Sequence, residues 1–374
     1  MTTSNHSATP STTPSVTPSL VSLFTDKVQT MQPYHVPKSS GMIKLDAMES
    51  PYKLPEQMRQ ALAAILTHVN INRYPNSSSS SLGAAIRKAF SLPAELSLMM
   101  GNGSDELIQI VLMALMRPGA KVLSPVPSFV MYQQVTELLG MSFVGVDFNP
   151  DFSLDEASFL ATIAREQPAV VFLAYPNNPT GVILSRALIE KVLQTSNGFV
   201  VIDEAYSAYA SDSALDLVAR YENAILIRTL SKIGMAGIRL GYMLSHPSVA
   251  GFFENVRMPY NINLFTQATA RFMLEQKTYL ADCVNHIVAE KAALYDWLSA
   301  QAGLVVYSSE TNFLLVRVDN APEVFSRLRD DYQILVKNLD GQHPILKNIL
   351  RITVGLPAEN AKLKAALTEI LTID

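Results

Sequence analysis

Between about residues 81 and 245 the chain alternates between two hydrophobic rhythms. Short apolar runs bounded by Gly, Pro or polar turns read as buried strands, and stretches with apolar positions three and four apart read as helices. "SLGAAIRKAF" is helical, and "LSLMM", near 97–101, is a short strand. "SDELIQIVLMALM" follows as a helix opened by a Ser-Asp-Glu cap. Then come strand "KVLS", helix "FVMYQQVTELLG", strand "MSFVGVDF", helix "LDEASFLATIARE", strand "AVVFLAY", helix "SRALIEKVLQTS" and strand "GFVVID". "AILIRT" and "RLGYMLS" complete a set of seven strands. Strands apolar on both faces and separated by helices predict an α/β domain with a largely parallel sheet. Beyond about 262 the rhythm changes. A long helical stretch (264–301) precedes "NFLLVRV", a helix near 321–331, "ILVKNL", "LRITVG" and a last helix, the pattern of a smaller α+β domain.

The N-terminal end follows neither rhythm. Fourteen of its first nineteen residues are Ser, Thr or Pro, too polar to bury a core, so it reads as a disordered tail. It lacks the basic and apolar regions of a secretory signal. Residues 20–60 are irregular and punctuated by prolines, with a helix near 55–67. The expected division is therefore a tail over 1–20, an N-terminal arm joining the small domain over 21–60, a large domain over 61–262 and a small domain over 263–374.

Composition narrows the function classes. The 374 residues are 48% hydrophobic and 17% charged, which suits a sizeable core and a large buried interface. A net charge of −4 argues against a nucleic-acid partner. Nothing in the pattern is an apolar run long enough to span a membrane. The single cysteine, Cys283, excludes an intrachain disulfide and a cysteine metal cluster and fits a reducing cytoplasm. The six histidines, at 6, 35, 68, 246, 286 and 343, have no metal-ligand spacing, so no metal is expected. The methionines of "LIQIVLMALM" read as core.

In an open α/β sheet, ligands bind beyond the carboxyl ends of the strands. "AVVFLAY" leads into "PNNPTG", with Asn178. "GFVVID" ends at Asp203, followed by Tyr206. "AILIRT" leads to Ser231 and Lys232, with Arg239 further on in a glycine-rich loop. "LSLMM" leads to "GNGSDE", where glycines precede a helix N-terminus suited to phosphate. "KVLS" leads to Phe129. Singly, each fragment also reads as an ordinary loop, and GNGS lacks the nucleotide-binding and dinucleotide signatures. Together they match pyridoxal phosphate chemistry. That chemistry needs a lysine to hold the cofactor aldehyde as a Schiff base and then move protons, and a carboxylate to keep the pyridine nitrogen protonated. It also uses donors to the ring O3′, an anion cradle and a stacking ring.

The pieces "GMIKLDAMESPY", "NRYP", "GNGSDE", "YPNNPTG", "VVIDEAY", "RTLSK" and "LRITVG" resemble the fold-type-I pyridoxal phosphate aminotransferases, and closely the histidinol-phosphate aminotransferases. The likeness runs from about Tyr34 to the C-terminus. It implies Lys232 as the Schiff-base lysine, Asp203 as the pyridinium partner, and Asn178 and Tyr206 at O3′. Ser104 and Asp105 would open the phosphate-binding helix, Ser231 and Arg239 would complete the phosphate cup, and Phe129 would stack on the ring. Tyr74 would reach the cofactor phosphate of the neighbouring subunit in a homodimer. Arg351 and Lys337 would bind the substrate anion, with Tyr34 near the substrate phosphate. Two features depart from the family pattern. Arg239 follows Lys232 by seven residues where many relatives have eight, and Lys337 stands where an arginine is expected, keeping the charge but losing the bidentate fork.

The resemblance implies transamination between L-histidinol phosphate and 2-oxoglutarate in L-histidine biosynthesis, with small molecules and a second copy of the chain as partners. A threonine-phosphate decarboxylase, or an aromatic or other amino-acid aminotransferase, would need the same cofactor set. A transcription regulator on this fold would need a DNA-binding extension, and the tail is short and not basic.

Overall fold

Strands that are apolar on both faces need a covering layer on each. The computed structural model, which describes residues 18–33, 37–76 and 78–372, supplies both layers. The chain runs through α1 (Pro18–Val21), α2 (Asp26–Thr30), β1 (Ile43–Lys44), α3 (Glu56–Leu66), α4 (Ser80–Phe90), β2 (Ser97–Gly101), α5 (Ser104–Leu115), β3 (Lys121–Val126) and α6 (Val130–Leu138). It continues with β4 (Ser142–Asp147), α7 (Glu156–Glu166), β5 (Val170–Ala174), α8 (Arg186–Thr195), β6 (Phe199–Asp203), α9 (Leu215–Arg220), β7 (Ala224–Thr229), β8 (Gly241–Ser245) and α10 (Pro247–Glu254). The last part holds α11 (Leu264–Glu275), α12 (Lys277–Ser299), β9 (Leu304–Tyr307), β10 (Phe313–Val318), α13 (Ala321–Asp330), β11 (Ile334–Leu335), β12 (Lys337–Asn338), β13 (Ile349–Thr353) and α14 (Pro357–Thr372).

The seven-stranded sheet has the order β2-β8-β7-β6-β5-β3-β4. All neighbours are parallel except β8, which runs antiparallel to both β7 and β2. Side chains alternate between two cores, as a two-residue strand period requires. Val171, Leu173, Val200, Ile202 and Leu226 meet Leu82 and Ile86 of α4, Phe159 of α7 and Leu188 of α8. Val170, Phe172, Val201, Ile225 and Ile227 meet Leu107 and Val111 of α5 and Tyr132 of α6. Each such fully buried side chain is worth about 1.5–3 kcal/mol of transfer free energy, so these strands are the rigid part of the molecule.

A four-stranded sheet, β12-β13-β10-β9, and a two-stranded pairing of β1 with β11 carry a separate core with α12, α13 and α14. The described residues up to Lys38, with α1 and α2, form a unit distinct from residues 39–374.

Several boundaries differ from the sequence expectation. Residues 18–20, expected in the tail, lie in α1, and residues 1–17 lie outside the described residues. The single helical stretch over 264–301 is two helices broken at Gln276. The first of them puts Ala270, Met273 and Leu274 into the core of the large sheet, so that core continues past residue 262. "ILVKNL" is two short strands in two sheets: β11 pairs with β1, and β12 with β13. The strand expected from Arg239 begins at Gly241, because Arg239 takes a left-handed backbone (φ 53°) that ends the preceding turn. At α5 the N-cap is Gly103 (φ 82°), with no side-chain cap, so Ser104 is the first helical residue rather than the cap.

The end of β6 is anchored from below. Glu204 is fully buried, accepts from Arg228 Nε at 2.9 Å and from the Ala214 N–H at 2.6 Å, and lies 2.7 Å from Arg228 Nη2 in the same ion pair. Removing one partner of such a pair strands a buried charge. Glu204→Ala is expected to lower unfolding free energy by about 3–5 kcal/mol, read from urea denaturation at neutral pH, whereas Glu95→Ala, at an exposed position, should stay within about 0.5 kcal/mol of the parent.

Candidate active site

The loops after β2, β3, β5, β6 and β7 converge on a cavity of about 360 Å³. The chain steps outward from β3 to β4 and then back across to β5, so this is the switch point where an open α/β sheet leaves a crevice. The lining brings together Ser104, Asp105, Phe129, Asn178, Asp203, Tyr206, Ser231, Lys232 and Arg239, nine of the residues singled out from the sequence. Tyr132, Thr229 and Ala47–Glu49 also line it, and the motif reading did not single these out.

The helix start on one side of the cavity is shaped for an anion. Without a side-chain cap at Gly103, the first N–H groups of α5 stay unclaimed by one. Gly103 is needed twice over: its φ is left-handed, and a Cβ there would stand 2.6 Å from Arg239 Nη2. A Cβ on Gly241 would stand 2.7 Å from the Ser104 N–H, so β8 also lies tight against the helix start. Arg239 Nη2 donates to Asp105 Oδ2 at 3.0 Å, so the seven-residue spacing does bring the arginine to the helix N-terminus. The Ser231 hydroxyl lies 2.9 Å from Thr229 Oγ1.

Across the cavity stand a carboxylate and an amine, each shifted toward its neutral form. Burial pushes Asp203 up to about 6, opposed by hydrogen bonds from the Tyr132 hydroxyl (2.7 Å) and the Ala205 N–H (3.1 Å). Burial also pushes Lys232 down to about 8, and the charge of Arg351 adds to this. The Lys232 side chain is partly exposed, but its amine is enclosed enough to lose hydration and donates only to the Ala47 carbonyl, at 3.2 Å, among the hydrogen bonds of the described residues. Tyr209 Oη donates to the Lys232 carbonyl at 2.7 Å and so holds its backbone. Lys232 Nζ lies 5.9 Å from the centre of the Tyr206 ring. Burial raises the Tyr206 phenol above its ordinary value, with Arg351 pulling the other way.

The remaining candidates fall outside the lining. Arg351, on β13, is buried behind Asn178, donating to its Oδ1 at 2.6 Å and to the Asp46 carbonyl at 2.8 Å. This leaves the Asn178 amide N–H₂ as its donor. Lys337 sits opposite Arg351 in the ladder, half-buried, with its amine held below the usual lysine value by burial and by that arginine. Tyr74 is 80% exposed and stacks on Tyr260 with centroids 4.7 Å apart. Tyr34 lies outside the described residues.

These residues fit pyridoxal phosphate. Among the described residues no cation stands within ion-pair distance of the buried Asp203, so a protonated ring nitrogen would complete it. The helix start and Arg239 suit the phosphate, the Asn178 N–H₂ and Tyr206 hydroxyl suit the phenolic oxygen, and Lys232 offers an amine. The shift at Lys232 is directly measurable. In cofactor-free protein, modification of Lys232 by a small amine reagent is expected to rise with a midpoint near pH 8, against ~10.4 for exposed lysines, as followed by peptide mass spectrometry. Below that midpoint the amine is protonated and unreactive.

Residues 40–367 match the family model "Aminotransferase class I and II". The chain is 43% identical over 354 residues to histidinol-phosphate aminotransferase 2 of Cupriavidus pinatubonensis, covering 93% of this chain and 96% of that one. It is 46% identical over 345 residues to the histidinol-phosphate aminotransferase of Chromobacterium violaceum, covering 92% and 97%. The fold is similar to that of the Sinorhizobium meliloti histidinol-phosphate aminotransferase solved in complex with pyridoxal-5′-phosphate, with a TM-score of 0.83 and 25% identity over 93% of this chain and 97% of that one. The strand-end lysine, the buried carboxylate and the open helix start therefore stand in a fold-type-I pyridoxal phosphate enzyme, and the chain belongs to the class I and II aminotransferases, among the histidinol-phosphate aminotransferases.

Proposed function

We propose that the chain transfers an amino group between L-histidinol phosphate and 2-oxoglutarate, giving imidazole-acetol phosphate and L-glutamate in L-histidine biosynthesis. The observation that carries this reading is the convergence of Lys232, Asp203, Asn178, Tyr206 and the α5 start on one cavity. The names of the relatives supply the substrate. Pyridoxal phosphate, when bound, supplies an electron sink for charge developing at the substrate carbon.

The residues divide the work by position. Asp203 would hold the proton on the ring nitrogen, its ionised form supported by two neutral donors against the effect of burial. Asn178 and Tyr206 would donate to the phenolic oxygen, and Phe129 would cover the ring. Gly103, Ser104, Asp105, Ser231 and Arg239 would seat the phosphate through backbone N–H groups, hydroxyl and guanidinium. Lys232 Nζ would anchor the cofactor, then take a proton from the substrate carbon and return it. An amine whose pKa is brought down toward neutrality accepts a proton at physiological pH far more readily than an exposed lysine. Arg351 and Lys337 would bind the phosphate of one substrate and a carboxylate of the other, and Tyr34 would assist at the substrate phosphate.

The active form would be a homodimer in which Tyr74 reaches the neighbouring subunit's cofactor phosphate. Support comes from the surface: Tyr74 has little of its own chain over it, and Ile71 and Met258 are likewise 76% and 69% exposed.

The reading is tested by incubating the holoenzyme with L-histidinol phosphate and 2-oxoglutarate. Glutamate release without CO₂ is expected; CO₂ release from threonine phosphate without glutamate would make it a decarboxylase instead. Lys232→Ala should abolish turnover, and borohydride should fix the cofactor of the parent to the Lys232 peptide. Arg351→Ala should raise KM for both substrates; a rise for only one would end the shared-site reading. For the dimer, inactive Lys232→Ala and Tyr74→Ala chains refolded together should regain up to about a quarter of parental activity. Half the dimers are then hybrids, each with one intact site of two; no recovery in proven hybrids would remove Tyr74 from its neighbour's site.

A further inference from the structure

Asp203 has a neighbour outside the set of candidate site residues. The Tyr132 hydroxyl, from α6, donates to Asp203 Oδ2 at 2.7 Å, with Tyr132 1% and Asp203 4% exposed. The Tyr132 ring has little freedom. It stacks on Phe172 of β5 with centroids 4.5 Å apart and planes 8° from parallel, and Phe129 meets it edge-on at 5.6 Å and 84°. A hydroxyl on a ring fixed in this way is a fixed donor. We propose that Tyr132 is a positioning residue for the reaction: its hydroxyl orients the Asp203 carboxylate and holds it ionised for the ring nitrogen of the cofactor. This rests on the reading of Asp203 given under Proposed function.

The electrostatics show why a donor is needed there. Burial alone would protonate Asp203, and the nearby carboxylates of Asp105, on α5, and Glu204, next in the chain, push the same way. The other titratable group facing it is the Tyr206 phenol, itself raised by burial and further by the Asp203 charge. Two neutral donors oppose this, one on each oxygen: Tyr132 on Oδ2 and the Ala205 N–H on Oδ1. The plane of the carboxylate is therefore pinned at both ends, and each oxygen keeps a second acceptor site. The Ala205 donor belongs to the backbone turn, but the Tyr132 donor is a side-chain choice, since phenylalanine would fill the same space between Phe172 and Phe129. A buried hydroxyl would in any case seek a partner, so the test must separate a bond that merely satisfies Tyr132 from one that acts through Asp203.

The experiment compares holoenzymes carrying Tyr132→Phe, Asp203→Asn and both, measuring kcat and KM across pH and pyridoxal phosphate affinity by absorbance titration. Tyr132→Phe is expected to lower kcat about tenfold with KM within about twofold. It should also move the acid limb of the kcat profile up by about one pH unit, because losing a donor to the ionised form makes Asp203 easier to protonate. Cofactor affinity should fall severalfold. In the Asp203→Asn background the same change should alter kcat and affinity by less than about twofold, since the ionised group it serves is gone. Equal losses in both backgrounds, or an unmoved acid limb in the single variant, would overturn the proposal. If Asp203→Asn alone costs under about tenfold, the pyridinium-partner reading itself fails and the proposal falls with it. If Asp203→Asn is crippling but Tyr132→Phe is silent, only the Tyr132 assignment fails.

Discussion

Enclosure of β5, β6 and β7 on both faces is the constraint on which the rest of the molecule depends. A strand with helices on either side has no room for a polar side chain along its length, because a buried polar group without a partner costs more than one well-packed apolar residue contributes. Polar groups are therefore pushed to the strand ends. At the carboxyl ends the chain leaves the sheet into loops whose positions the rigid strands dictate, so Asp203, Asn178 and Lys232 emerge side by side although they are far apart in sequence. The cavity follows from the sheet order: β3 and β5 are adjacent, but their onward connections leave in opposite directions.

The same enclosure sets the electrostatics. Asp203 and Lys232 carry opposite charges, and both are shifted toward neutrality, since burial penalises either ion. Neither has an ion-pair partner among the described residues. A group that brings a ring cation to the carboxylate and a carbonyl carbon to the amine relieves both penalties. Binding it should therefore stabilise the fold, as any ligand specific to the native state does. Glu204, one residue beyond Asp203, shows the opposite solution: it is equally buried but paired with Arg228, and it serves to hold the strand end.

Arg351 links the small sheet to the lining of the cavity. It belongs to β13 of the small sheet, yet its guanidinium bonds to Asn178 after β5 of the large one, and its charge accounts for part of the shift at Lys232. The face of Phe313 lies 5.3 Å from the same guanidinium, which keeps it in place from beneath. An anion arriving at Arg351 would offset a charge that Lys232 and Lys337 both feel. Through this one residue, a change of charge on the small sheet bears on the proton affinity of the lysine, a coupling that needs no movement of either sheet.

The sequence by itself determined the seven apolar strands, the helices between them and the residues at the strand ends, because hydrophobic period and turn composition are local properties. Nine of the candidate residues meet in one cavity for that reason. What lay beyond local pattern was decided by tertiary contacts. Nothing in "ILVKNL" says that its two halves pair with different sheets, since strand partners are chosen by distant residues. The break at Gln276 falls inside an otherwise continuous helical pattern, where packing on two cores decides the bend. The Ser-Asp-Glu run looked like a cap, yet the backbone placed Gly103 at that position and left the helix start without one. Tyr132 fits the apolar stripe of α6, and nothing in that segment marks its hydroxyl out. Only the packing of that helix beside β3 and β4, with the Tyr132 ring reaching across to Phe172, brings its hydroxyl to Asp203, because a hydrogen bond between residues 71 apart is a property of the fold and not of either segment.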